Sequence, residues 1–145
     1  MAGFLTGVID ATVNASTVLI LAGLGELISE RAGVLNLGVE GMMLVGALSG
    51  VVVTAITGSY WLGFGVAVLA GVAMSLIHAV LSVSLKSDQA VSGIMLTLLG
   101  TGLTTYFGND WASESISGFP QRTLPFVGEY LVEIPVLGPA LFRST

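Results

Sequence analysis

Four stretches of this chain are long and apolar enough to cross a lipid bilayer. Each residue of a helix advances ~1.5 Å, so a core of ~30 Å needs about 20 mostly apolar residues. The stretches run over about 11–28, 34–57, 61–85 and 90–108. Each must be helical, because an unpaired backbone amide in hydrocarbon costs several kcal/mol. The third, "WLGFGVAVLAGVAMSLIHAVLSVSL", is the most continuous; the first is the least apolar, holding Asn14 and Glu26.

Composition closes off the soluble alternatives. Of 145 residues, 54% are hydrophobic and 9% charged, against roughly 25% charged in an ordinary soluble domain. Mean hydropathy is +0.96. So few ions cannot cover a water-facing surface. The expected fold is all-α, a polytopic membrane helix bundle of about four transmembrane helices. The net charge of -5 argues against nucleic acid, which requires a basic patch. With no cysteine, disulfides, thiolate metal sites and a cysteine nucleophile are excluded.

The N-terminus, "MAGFLTGVIDATVNASTVLI", lacks the basic region of a cleaved signal peptide, so the first run reads as a retained anchor. Arg31 follows the first span and Lys86 the third, while the turn "GSY" after the second has no basic residue. The positive-inside rule then puts the N-terminus outside the cell membrane. Segment 109–134, with two prolines and several acids, reads as a solvated extracytoplasmic connection. Residues 135–145, broken by Pro135 and Pro139, read as the approach to a further span.

One region breaks the apolar pattern. "GELISERAGVLNLGVEGMMLVGA", Gly25 to Ala47, places Glu26, Glu30, Arg31, Asn36 and Glu40 among several glycines. One reading is a short cytoplasmic turn with Asn36 as a cap and Gly38 and Gly41 easing entry to the next helix. The other is a helix broken near residues 30–41 beside a solute path, since irregular backbone at depth is tolerated where it lines a cavity or is buried in protein. If the second span begins near Val34, Glu40 lies about two turns inside. A carboxylate there needs a partner, and Arg31 and Asn36 are the local ones.

Small residues elsewhere suggest helix packing. They are Gly46 and Gly50; Ala67, Gly71, Ser75 and Ala79; and Gly93, Thr97, Thr101 and Thr105. The threonines, Thr97 and Thr101 among them, could instead line a polar path. His78 in the third span reads as hydrogen-bonded across helices or as part of that path. A lone histidine makes no metal site, and no nucleotide-binding GxxxxGK[ST], GxSxG or HExxH motif is present. No cofactor is expected.

The segments "ERAGVLNLGVEG", "LIHAVLSVSLKSDQAVSGIMLTLLG" and "IPVLGPALF" together resemble permease subunits of ABC importers for nucleosides and simple sugars, within the branched-chain amino acid and ribose permease family. The resemblance runs through nearly the whole chain. It implies a permease that moves a nucleoside or simple sugar by alternating access and is not itself an enzyme. The implied partners are a second permease subunit, giving a heteromer, a cytoplasmic ABC ATPase, an extracytoplasmic solute-binding protein and the lipid bilayer. Nucleoside is the first expectation and sugar the second. Members run to about twice this length, so the chain reads as an N-terminal half lacking the later spans and the coupling helix. The resemblance adds weight to Asn36, Gly38, Glu40 and Gly41 as residues lining the path or fixing the helix break. Two other readings stand beside it. One is a self-contained four-span assembly or scaffold protein; the other is an intramembrane enzyme using Glu40 or His78.

Overall fold

The computed structural model describes residues 2–111. The expected extracytoplasmic segment, apart from its first three residues, and the approach to a further span lie outside the described residues. Within them the order is α1 (Ala2–Arg31), α2 (Val39–Thr57), α3 (Tyr60–Ala79), a π-turn (Val80–Ser84) and α4 (Gln89–Gly108). Among the described residues four helical segments are long and apolar enough to cross a membrane: Gly7–Arg31, Val39–Thr57, Tyr60–Ser84 and Gln89–Gly108. The described residues form an all-helical fold of membrane-spanning character, as their apolar runs require.

Two compact units divide the chain, and the described residues contribute 2–24 to one and 25–111 to the other. The first unit's described part is the N-terminal stretch of α1. Its hydroxyls turn back onto the helix: Thr12 donates to the Val8 carbonyl at 2.7 Å and Thr17 to that of Val13 at 2.9 Å. Such back-bonding satisfies a hydroxyl where no water is available.

The second unit packs α2, α3 and α4. Its interior is thin: Met74 and Leu96 are the buried apolar side chains among the described residues. Large apolar side chains point outward instead, among them Trp61, Leu69 and Leu98. In water this would be untenable; in lipid, outward apolar groups are solvated and helices associate through close backbone packing.

Glycine supplies that packing. Gly58, at φ +66°, ends α2, its N–H donating to the Thr54 carbonyl at 2.8 Å. Ser59 starts α3 by accepting from Leu62 N. The two helices therefore run antiparallel across a two-residue turn, Gly58 and Ser59. A Cβ on Gly50 would stand 3.1 Å from the Ala67 Cβ, and one on Gly46 would stand 3.2 Å from the Ala67 carbonyl oxygen. The expected contact through Gly46 and Gly50 is thus present. The stripe expected on α3 is rotated: Gly71 has nothing within 4 Å of its Cβ position and Ser75 is exposed. The buried face is Gly63, Met74 and His78.

Between Arg31 and Val39 the chain leaves the helix. Gly33, at φ +87°, occupies the left-handed position that ends α1. Its N–H donates to the Glu30 carbonyl at 2.9 Å and that of Val34 to Ser29 at 3.0 Å, the paired bonds of a Schellman C-cap. Residues 34–38, placed inside the second span by the sequence reading, are therefore non-helical, and α2 starts at Val39. Glu40 accordingly falls in the first turn of α2 rather than two turns in.

Candidate functional site

The broken segment has polar backbone groups that no helix satisfies, and side chains from three helices take them. Glu26 on α1 accepts from the Asn36 N–H through Oε1 at 2.9 Å. Gln89, in the first turn of α4, accepts from the Leu35 N–H at 2.7 Å and donates to the Gly33 carbonyl at 3.2 Å. His78 on α3 meets the Leu35 carbonyl through Nε2 at 3.2 Å. Thr97 on α4 donates to the Leu37 carbonyl at 3.1 Å. Asn36 closes the segment locally, its Oδ1 accepting from the Gly38 N–H at 3.0 Å just before α2. Side-chain satisfaction on this scale is what irregular backbone in a membrane protein requires.

His78 is 3% exposed. A carbonyl only accepts, so Nε2 carries a hydrogen toward Leu35, while Nδ1 lies 3.2 Å from the Ser92 hydroxyl, which itself donates to the Gln89 carbonyl at 3.1 Å. Ser82 sits 3.3 Å from both His78 Nε2 and Ser92 Oγ. Of its two expected roles, the hydrogen bonds across helices are present. The π-turn begins two residues after His78 and is closed by Leu85 N donating to the Val80 carbonyl at 2.9 Å. Asp88 then caps α4 by accepting from Val91 N at 2.9 Å.

The break is pressed against α4 by glycine. A Cβ on Gly93 would lie 2.8 Å from Leu37 N, and one on Gly38 would lie 3.0 Å from the Gly93 carbonyl oxygen. On Gly41 it would overlap the Leu96 carbonyl oxygen. Asn36, Gly38, Gly41, His78 and Thr97 are thus gathered around one stretch of backbone. Thr101 is not in direct contact with it: exposed, it donates to the Thr97 carbonyl at 2.9 Å. Glu40 is also exposed. Among the described residues neither Arg31 nor Asn36 bonds to Glu40. The acid that Asn36 engages is Glu26, whose second oxygen, Oε2, is buried with no hydrogen-bond partner among the described residues.

Glu26, Gln89, Ser82 and Ser92 carried no role in the sequence reading. Gln89 had a readable signal: an amide at the start of an apolar span, one turn before Gly93, the glycine that packs on the break. Glu26 had a weaker one, an acid near the end of a predicted span with no cation one turn away.

The family model for the branched-chain amino acid transport system permease component matches residues 8–139. The chain belongs to this permease family. Within it, a putative glucose ABC transporter permease protein of Haloferax volcanii is 69% identical over 142 residues, 98% of this chain and 43% of the relative. A guanosine ABC transporter permease of Bacillus subtilis is 34% identical over 94% of this chain and 45% of its own length. A nucleoside ABC transporter permease of Lactococcus lactis is 32% identical over 90% and 43%. The chain therefore spans less than half the length of these curated relatives. No solved structure matches it. The permease's glycine-packed break lies inside the matched region.

Proposed function

We propose that this chain is the N-terminal half of a membrane permease subunit in an ATP-driven importer, and that its solute is a simple sugar or a nucleoside. The observation that carries the reading is the 69% identity, over 98% of the chain, to a putative glucose ABC transporter permease. That identity favours sugar over nucleoside, the reverse of the order drawn from resemblance alone. A scaffold protein would have no need of a polar break held by side chains of three helices, and the family membership counts against that alternative as well.

In this reading ATP is hydrolysed in a separate cytoplasmic ABC ATPase, and an extracytoplasmic binding protein delivers the solute. A second, different permease subunit completes the path. The break supplies what a path needs: backbone and amide groups in a region otherwise apolar, with Asn36, Gly38 and Gly41 at its α2 end and Glu40 exposed beside them. Thr97 and Thr101 extend the polar line along α4. The N-terminus faces outside, and the break and the Lys86 turn face the cytoplasm.

The test is uptake. The chain in its full reading frame, assembled with ATPase, partner permease and binding protein, should import labelled glucose or labelled nucleoside only with ATP. Import of neither, with all partners shown to be assembled, rejects the function.

A further inference from the structure

We propose that Gln89 is a positioning residue for transport: with His78 it clasps the Leu35 peptide and so sets the geometry in which the break presents Asn36, Gly38 and Gly41. The inference rests on the permease reading above and goes beyond it in naming what holds the break.

Leu35 is held at both ends of its backbone by side chains. Its N–H is taken by Gln89 at 2.7 Å and its carbonyl by His78 at 3.2 Å. The two residues come from different helices, α4 and α3. The same Gln89 amide also holds the Gly33 carbonyl at 3.2 Å, so one side chain spans the first part of the break as a strand neighbour would. Apolar burial contributes little here: Leu35 and Leu37 are 37% and 48% exposed. The segment is held by exchangeable hydrogen bonds, each of modest net strength, rather than by a packed core.

A second observation points the same way. The clasp's two side chains flank the Val80–Ser84 π-turn and the short connection to α4. A π-turn widens a helix by one residue and recurs at functional sites. Here it follows His78 and carries Ser82, which is 6% exposed and reaches both His78 and Ser92. A displacement of α4 against α3 therefore strains the pair of bonds on Leu35, one from each helix, as well as the Ser92 bonds beside them. A change in helix packing becomes a change in the position of Asn36 and Gly38, the next residues along.

The chemistry of Gln89 allows a graded test. Gln89→Met keeps the length and removes both bonds. Gln89→Glu keeps an acceptor for the Leu35 N–H but loses the donor to Gly33. In the assembled importer, Gln89→Met should lower solute turnover about tenfold, the loss of two hydrogen bonds of ordinary net strength, with KM unchanged. In membranes holding the assembled importer, a single Leu35→Cys should be labelled by a water-soluble maleimide faster in the Gln89→Met background, and at an intermediate rate with Gln89→Glu. Turnover and labelling both equal to the unsubstituted protein would overturn the proposal, as would a raised KM with turnover intact. If Gln89→Met does not accumulate, Gln89→Glu carries the test, and labelling identical to that with Gln89 overturns it. Labelling needs no solute. If the unsubstituted importer moves neither sugar nor nucleoside, the permease reading fails while the labelling result still decides the clasp.

Discussion

Gly100 on α4 lies so close to Gly41 on α2 that a Cβ added to Gly100 would stand 2.5 Å from the Gly41 carbonyl oxygen. The two backbones touch with no side chain between them. Three residues before Gly41, at the N-cap of α2, Gly38 packs against Gly93 of α4 in the same way. The helix pair and the break are therefore one contact, and whatever parts α2 from α4 also frees the break.

Gly100→Ala should destabilise the helix pair by about 1–3 kcal/mol, the usual cost of overpacking. Neither backbone can retreat without opening the contact. Gly102→Ala, two residues on with nothing within 4 Å of its Cβ position, should be neutral or slightly stabilising because alanine favours helix. Thermal unfolding in detergent compares them. Equal loss from both variants would refute the backbone contact.

Glu26 provides a second test. Its Oε1 accepts from Asn36 N, and glutamine retains such an acceptor. Glu26→Gln should fold as the parent does, whereas Glu26→Ala should lose about 1–3 kcal/mol by leaving a half-buried amide unpaired. Unfolding midpoints in the same detergent decide it. An alanine variant as stable as the parent would show that the amide finds another partner.

Topology can be read with single cysteines, because the sequence has none. Cysteine replacing Ser59, in the α2–α3 turn, should react with an impermeant reagent from outside. Cysteine replacing Ser87, beside Lys86, should react only from inside. The opposite pattern inverts the orientation.

What was legible in the sequence was what lipid enforces locally. A run of about 20 apolar residues dictates a helix, and Gly33 with its polar neighbours marks where the first helix ends. The glycines Gly46 and Gly50 were readable because a four-residue repeat over one step stays on one face. The α3 stripe was misplaced for the same geometric reason carried further. At about 100° per residue, each four-residue step turns the face by about 40°, so Gly71, Ser75 and Ala79 spiral away from the contact that Ala67 makes. The true face, Gly63 to Met74 to His78, mixes steps of three and four. Gln89 and Glu26 left only a faint signal for another reason. Their partners are backbone groups of a distant loop, and backbone leaves no mark in sequence. Glu40 drew attention as the conspicuous acid, yet the acid bonded to the break is Glu26.

A break on the proposed solute path changes its exposure as the importer cycles. Glu40 reports on it most directly: it is exposed, sits in the first turn of α2 and, among the described residues, makes no hydrogen bond that holds the break. Glu40→Cys in the assembled importer should be labelled by a small impermeant maleimide at a rate that changes several-fold between the nucleotide-free and ATP-bound states, and that slows when the transported solute is present. A labelling rate indifferent to both nucleotide and solute, in a transporter shown to hydrolyse ATP, would contradict it.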